Sequence, residues 1–312
     1  MTPEVIDISV LIPCLNEAEN VEAIAAAVAS ELRAAGESYE IVFIDNGSDD
    51  GTAEIIKGLC GRDGRIRLIV NNRNFGQMRS PTYGIFQTSG RAVIGLSADF
   101  QDPPGLIGEF IRRWRAGVPI VLATRRPENT SMMLRLIRAV GYWFFARFGD
   151  YRVIPGATGF GLYDRAVVEC LRAWRDPEPF FRGMLVESGF AIETIAYDRP
   201  ERAGGVTKNN LATLSSFAIS GLANSSKKLL RVPIYVSFIL FSFGIVFVCV
   251  EIVSSFTRRQ SGYTVLLLFI DFAFAILFFF IGLLGEQIRL ISETIRNVPL
   301  VTEKERINFP HS

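Results

Sequence analysis

The stretch A-V-I-G-L-S-A-D-F-Q-D-P-P, Ala92 to Pro104, decides the fold. Within it a continuous apolar run, Val93 to Leu96, gives way to two carboxylates, Asp99 and Asp102, and then to the proline pair Pro103 and Pro104. A buried strand opening onto acidic residues is how α/β folds hold metal-bound phosphates at a sheet's carboxyl edge. Upstream, Ile8 to Ile12, Glu40 to Ile44 and Ile66 to Val70 read as further strands. Helical patterns separate them. Ala18 to Arg33 carries Val21, Ile24, Val28 and Leu32 on one face before Gly36 stops it, Thr52 to Leu59 follows the second strand, and Ser80 to Thr88 the third. This alternation predicts an α/β fold with a mostly parallel sheet. Beyond it come helices at Pro104 to Ala116 and Met133 to Phe148, a strand at Pro119 to Thr124, and strands of a mixed extension at Phe160 to Tyr163 and Ile192 to Asp198.

Apolar residues concentrate in the last third of the 312-residue chain. Pro233 to Ser255 and Thr264 to Gly285 each carry a single carboxylate, Glu251 and Asp271. At 1.5 Å per residue, about 22 residues reach roughly 33 Å, enough to cross a hydrocarbon core. Two C-terminal transmembrane helices are therefore expected, joined by Phe256 to Tyr263. Lys227, Lys228 and Arg231 precede the first, and Arg289, Arg296, Lys304 and Arg306 follow the second, against Arg258 and Arg259 between them. The excess on the flanks puts both termini and the large domain on the cytoplasmic side of the inner membrane. Met1 to Val5 does not read as a secretory signal. The organisation expected is a catalytic domain over 1–208, an amphipathic juxtamembrane segment over 209–231, a membrane hairpin over 232–291 and a cytoplasmic tail over 292–312. Asn210 to Ser226 supplies the amphipathic stripe, suited to the membrane interface or to packing on the catalytic domain. Glu251 and Asp271 are expected to snorkel or to pair with Arg258 or Arg259, within one chain or across a homo-oligomer.

A formal net charge of +1 argues against a nucleic-acid partner, while the basic clusters beside the spans suit anionic lipid. Cys14, Cys60, Cys170 and Cys249 form no C-x-x-C pair, and His311 is the only histidine, which excludes a structural zinc site and a histidine base.

Asp99 is the best candidate ligand for a hard cation, and in an extended segment Gln101 would project on the same side. Asp102 would face elsewhere, toward a second ligand, a turn, or the amino end of the helix opening at Pro103. After the second strand, Asp45, Asn46, Gly47 and Ser48 place a carboxylate able to accept a nucleobase N–H beside a glycine that permits close backbone approach; with Pro13, Asn16 and Glu17 they would frame a nucleoside pocket. The same residues also suit an ordinary solvated turn.

Taken in order, I-P-C-L-N-E, I-D-N-G-S-D-D-G-T, N-R-N-F-G, A-D-F-Q-D-P-P and R-A-G-G-V-T-K resemble the family 2 glycosyltransferases, specifically the polyprenyl-phosphate glycosyltransferases related to dolichol-phosphate mannose synthase. The likeness runs from about Ile8 to Gly285. It implies a GT-A nucleotide-sugar domain, inverting transfer from a UDP- or GDP-sugar to a polyprenyl phosphate, and Mg2+ or Mn2+ as cofactor. By position, it implies that Pro13, Asn16, Glu17, Asp45, Asn46 and Ser48 bind the donor and that Asp99 and Gln101 hold the metal. Arg125, Arg202 and Lys208 would meet phosphate, the last two from a segment closing over the site.

Three departures stand out. Ser97 occupies a position where the family commonly has aspartate, Asp45, Asn46, Gly47 and Ser48 stand where it commonly has D-D-G-S, and Gly159 aligns with an aspartate often proposed as base. A phosphate monoester, with a second pKa of about 6, can attack without a protein base. A hydroxyl acceptor could not, and only Asp99 or Asp102 would be at hand to take its proton, with Asp102 the fallback base. Transfer to a glycan or lipid hydroxyl, and a noncatalytic nucleotide-sugar-binding scaffold, are the competing expectations. The Q-x-x-R-W of processive polysaccharide synthases is missing from the sequence.

Overall fold

Strict alternation of buried side chains sets the layers. In the first strand, β1 (Ile8–Cys14), Ile8, Val10 and Ile12 point into one apolar cluster and Leu11 into the other. The second strand, β2 (Tyr39–Asp45), does the same with Ile41 and Phe43 against Val42 and Ile44. Each fully buried aliphatic side chain contributes about 1.5–3 kcal/mol, more than one backbone hydrogen bond nets, so these strands are driven to the centre with both faces covered.

The computed structural model describes residues 6–126, 154–200, 262–295 and 298–309 and five positions between 236 and 246, with side chains in 262–295 only in part. On one face lie α1 (Val21–Ala35), α2 (Thr52–Arg62) and α4 (Ile107–Arg115). The other is covered by α3 (Gly76–Gln87), α5 (Arg165–Ala173) and α6 (Phe181–Glu187). The remaining strands are β3 (Ile66–Asn71), β4 (Ala92–Gly95), β5 (Ile120–Arg125), β6 (Ala157–Asp164), β7 (Ile192–Tyr197) and β8 (Glu303–Ile307). Their order is β7-β5-β6-β4-β1-β2-β3-β8. Strands β3, β2, β1 and β4 run parallel; β6 runs antiparallel to both β4 and β5, and β8 antiparallel to β3. The expected strands are present. Helix α1 begins at Val21 rather than Ala18 because the amides of Asn16, Glu17 and Ala18 are bonded to Ser48, Thr52 and Asp50. Gly36 ends it in the left-handed conformation, as its sequence position implies.

Strand β8 is the element that sequence patterning does not reveal. The segment expected as a cytoplasmic tail returns to the sheet: Asn72 N donates to Thr302 O (3.0 Å), Tyr83 Oη to Glu303 Oε1 (2.8 Å), and Lys57 pairs with Glu305 (2.5 Å). Asn308, left-handed at φ 62°, donates from Nδ2 to Cys60 O and Ile66 O, both at 2.9 Å.

A further helix, α7 (Gly262–Ile295), contains the second expected span. Among the described residues no helix is long and apolar enough to cross a membrane. Val236, Ile239, Ser242, Ile245 and Val246 of the first expected span are helical; the rest of it, Met133 to Phe148, Asn210 to Ser226 and Lys227, Lys228 and Arg231 lie outside the described residues.

Removing the Asn308 amide leaves two carbonyls without that donor and puts alanine, which tolerates the left-handed region less well than asparagine, at that φ. Asn308→Ala should therefore cost about 1–3 kcal/mol, read as a lowered Tm in detergent; an unchanged Tm would show that β8 is not held there.

Candidate active site

The order β3-β2-β1-β4 places the carboxyl ends of β1, β2 and β4 together, at the point where the strand sequence reverses. Here the expected donor residues meet. Asp45, the last residue of β2, is 1% exposed, and both its oxygens accept from Ser48: one from the backbone N–H (3.1 Å), the other from the hydroxyl. Ser48 Oγ in turn accepts from Asn16 N (2.9 Å), and Asn16 Nδ2 donates to Asp49 Oδ1 (2.7 Å). Glu17 N donates to Thr52 Oγ1 (2.9 Å), locking the loop after β1 to the start of α2. Pro13 pairs with Ile44 in the β1–β2 register. The solvated-turn alternative does not describe Asp45, which is buried at the end of β2.

Asn46 is engaged elsewhere. Its backbone N donates to Cys14 O (2.9 Å), its Oδ1 accepts from Asn71 Nδ2 (3.0 Å) and Phe75 N (2.9 Å), and its Nδ2 donates to Asn74 Oδ1 (2.8 Å). The N-R-N-F-G loop is thus fastened to the end of β2 through this amide. Gly47, at φ 80°, sits against that loop so closely that a Cβ would lie 2.9 Å from the Arg73 carbonyl carbon. Cys14 lies beneath: burial first, then the charges of Asp45, Glu17 and Asp50, push its thiol well above its usual pKa. The donor side of the edge is acidic.

Beyond β4 the chain turns rather than extends, because Phe100 is left-handed at φ 58°. The expectation that Asp99 and Gln101 share a side of an extended segment fails for that reason. Gln101 N donates to Asp99 Oδ1 (3.2 Å), while its side-chain oxygen accepts from Arg199. Asp102 does not cap the following helix. Only 5% exposed, it accepts at Oδ2 from Ser97 N (3.1 Å) and Ser97 Oγ (2.7 Å) and at Oδ1 from Tyr197 Oη (3.0 Å). Arg125 closes the group: its Nε donates to Tyr197 Oη (3.2 Å), and Nη2 stands 3.8 Å from Asp102 Oδ1. Tyr197, whose pKa is raised by burial and then by the Asp102 charge, stays protonated at neutral pH and available as a donor. Arg202 and Lys208 lie outside the described residues.

Ser97 Oγ touches two carboxylates, Asp102 Oδ2 at 2.7 Å and Asp99 Oδ1 at 2.9 Å. A hydroxyl has one proton, so Ser97 Oγ donates to only one of these two oxygens at a time. Among the described residues no group of three or more His, Cys, Asp or Glu could hold a metal ion. An Mg2+-type site does not require one, since such ions are held by one or two carboxylates with water and substrate phosphates. The Asp99 carboxylate fits that pattern, while the Gln101 side-chain oxygen is engaged by Arg199. Sequence reading passes over Tyr197, whose one signal is its place at the end of an expected strand, and treats Ser97 only as a departure.

Residues 9–172 match the family described as Glycosyl transferase family 2. The chain belongs to that family. Its α/β domain has the GT-A fold, and this glycosyltransferase has relatives along nearly its whole length. The bactoprenol glucosyl transferase of Shigella phage SfII is 31% identical over 297 residues, covering 94% of this chain and 96% of that one. A prophage bactoprenol glucosyl transferase homolog of Escherichia coli K12 is 31% identical over 90% of this chain and 93% of its own. An uncharacterized glycosyltransferase of Synechocystis is 30% identical, with coverage of 95% and 94%. Among solved structures, glucosyl-3-phosphoglycerate synthase from Mycobacterium tuberculosis with Mn2+, UDP and glucosyl-3-phosphoglycerate is 19% identical, with a TM-score of 0.47, over 70% of this chain and 78% of that one.

Gly47→Ala combines a left-handed backbone with a backbone clash, and should cost about 1–3 kcal/mol while shifting the N-R-N-F-G loop. Titration calorimetry with UDP and GDP should show weakened binding of whichever nucleotide the wild type takes; unchanged affinity would remove this loop from the donor pocket.

Proposed function

We propose that this glycosyltransferase moves a sugar from a nucleoside diphosphate donor, UDP- or GDP-linked, to a membrane polyprenyl phosphate at the cytoplasmic face, inverting the anomeric carbon. The observation that carries this reading is the make-up of the edge beyond β4. Asp99 is half-buried, Arg125 stands across Asp102 from it, and Gly159 offers no side chain to accept a proton. Asp102, with Ser97 and Tyr197 on its oxygens, is poorly placed to replace that base. A hydroxyl acceptor must lose its proton to something, whereas a phosphate monoester, with a second pKa of about 6, arrives already ionised. Its oxygen attacks C1 of the sugar as the bond from C1 to the diphosphate oxygen breaks, and that electron pair leaves with the diphosphate. The names of the bactoprenol glucosyl transferases aligned along the chain support the same acceptor.

In this reading Pro13, Asn16, Glu17, Asp45 and Ser48 shape the nucleoside pocket, and Asn46 contributes by holding the N-R-N-F-G loop. Asp99 would hold Mg2+ or Mn2+, joined by Gln101 only once its side-chain oxygen leaves Arg199. Such a cation neutralises the charge that builds on the departing diphosphate. Arg125 meets phosphate, joined by Arg202 and Lys208.

We place the acceptor's lipid beside a hairpin formed by Pro233 to Ser255 and Thr264 to Gly285, between a catalytic domain over 1–208 with its juxtamembrane segment 209–231 and the returning residues 292–312. The exposed apolar row on α7 supports this: Phe272 is 62% exposed, Phe278 67% and Ile288 65%. Each such side chain left in water forgoes about 1.5–3 kcal/mol, which contact with lipid recovers. The return of β8 supports the topology, because a chain that leaves the sheet after β7 and rejoins it beside β3 must cross a membrane an even number of times. The basic flanks then assign the domain's side to the cytoplasm.

Purified full-length protein given labelled nucleotide sugars, Mn2+ or Mg2+ and undecaprenyl phosphate should place label in an acid-labile lipid. Label found only in glycan, or a donor bound without turnover, would contradict the reading. Asp99→Asn should lower kcat at least about 100-fold with membrane insertion unchanged; full activity in that variant would remove Asp99 from the reaction.

A further inference from the structure

Asp102 joins two groups of opposite charge at the same edge. Through Oδ2 it holds Ser97, whose Oγ lies 2.9 Å from Asp99 Oδ1; through Oδ1 it holds Tyr197, whose hydroxyl oxygen accepts from Arg125 Nε at 3.2 Å. The Tyr197 ring is fixed edge-on against Phe160, with centroids 5.8 Å apart and planes at 82°. Left to themselves, a rim carboxylate and a rim guanidinium attract each other and close the space between them. A buried third charge that binds both arms keeps them apart. Efficient transfer needs such spacing, since the leaving diphosphate and the attacking phosphate must lie on opposite sides of one carbon.

We infer that Asp102 is a positioning residue, the shared anchor that acts through Ser97 and Tyr197 to hold the carboxylate serving the donor's cation and the guanidinium serving the acceptor's phosphate at a fixed separation. The inference rests on the transfer to a lipid phosphate proposed above. It gives the serine at position 97 a task of its own. Its hydroxyl stands between Asp99 and Asp102 and can donate to either in turn, where a further carboxylate would repel both.

Three variants of the full-length protein test it: Tyr197→Phe, Ser97→Ala and Asp102→Asn, each checked for its Tm. One readout is the split between kcat and the KM for undecaprenyl phosphate. The other needs no turnover: Mn2+ binding in the presence of UDP or GDP, followed by the electron paramagnetic resonance of free Mn2+. Tyr197→Phe, which keeps the ring, should raise the acceptor KM about tenfold and leave Mn2+ binding within about twofold. Ser97→Ala should weaken Mn2+ binding about tenfold with the acceptor KM little changed, and Ser97→Thr should restore it. Asp102→Asn should do both.

An acceptor KM untouched by Tyr197→Phe would overturn the anchor, as would Asp102→Asn abolishing kcat while both binding readouts hold, the pattern of a base. Wild-type protein that transfers to no lipid phosphate would sink the proposed acceptor instead. In that event the Mn2+ readout still decides, and binding unchanged in Ser97→Ala would overturn the anchor. Should Asp102→Asn fail to fold, Tyr197→Phe and Ser97→Ala still support or overturn the anchor through the same two readouts.

Discussion

Because β4 pairs with β1 and not with β3, the chain must cross back over β2 and β1 before the Ala92 to Pro104 stretch can form. That return brings the loop after β4 beside the loops after β1 and β2 at one edge of the sheet. The proposed chemistry depends on it. Asn16, Glu17, Asp45 and Ser48 come from the first two loops, and Asp99 comes from the third. The crossing is enforced by burial: β4 is apolar throughout and fully buried, a state it reaches between β1 on one side and antiparallel β6 on the other.

The edge so formed is divided by charge. Acidic groups collect around β1 and β2, where they add to burial in raising the Cys14 pKa, while Arg125, Arg126 and Arg199 stand at or just beyond the ends of β5 and β7. Asp102 lies at the boundary. Close by, Gly95 pairs with Gly161 in the antiparallel β4–β6 register, and the Gly159 carbonyl oxygen lies 3.1 Å from where a Cβ on Gly95 would stand. Neither Ser97 nor Gly159 adds a carboxylate to this edge, which lessens like-charge repulsion and suits an acceptor that brings its own negative charge.

Much of this architecture is legible in the sequence because it rests on local periodicity. Short runs of mostly apolar residues mark β1, β2 and β3, the 3.6-residue stripe of Val21, Ile24, Val28 and Leu32 marks α1, and Gly36 marks its end. What cannot be read locally rests on partners far along the chain. Strand β8 is written E-K-E-R-I, a polar run on inspection, and becomes a strand because Lys57 and Tyr83 satisfy its glutamates. Asp102 looks like a helix cap until Tyr197, 95 residues away, takes one of its oxygens. Gln101 looks like the partner of Asp99 until Phe100 turns the backbone left-handed between them. In each case the residue type is informative and its direction is set by tertiary contact.

In the proposed reaction Asp99 seats the cation that meets the donor's diphosphate. Anomalous diffraction at the manganese edge from crystals of the full-length protein grown with Mn2+ and its preferred nucleotide sugar measures this directly. A single Mn2+ peak at about 2.0–2.4 Å from an Asp99 carboxylate oxygen, with diphosphate oxygens completing its coordination, is the result expected. Diphosphate density at this edge with no manganese beside Asp99, or manganese bound elsewhere, would contradict it.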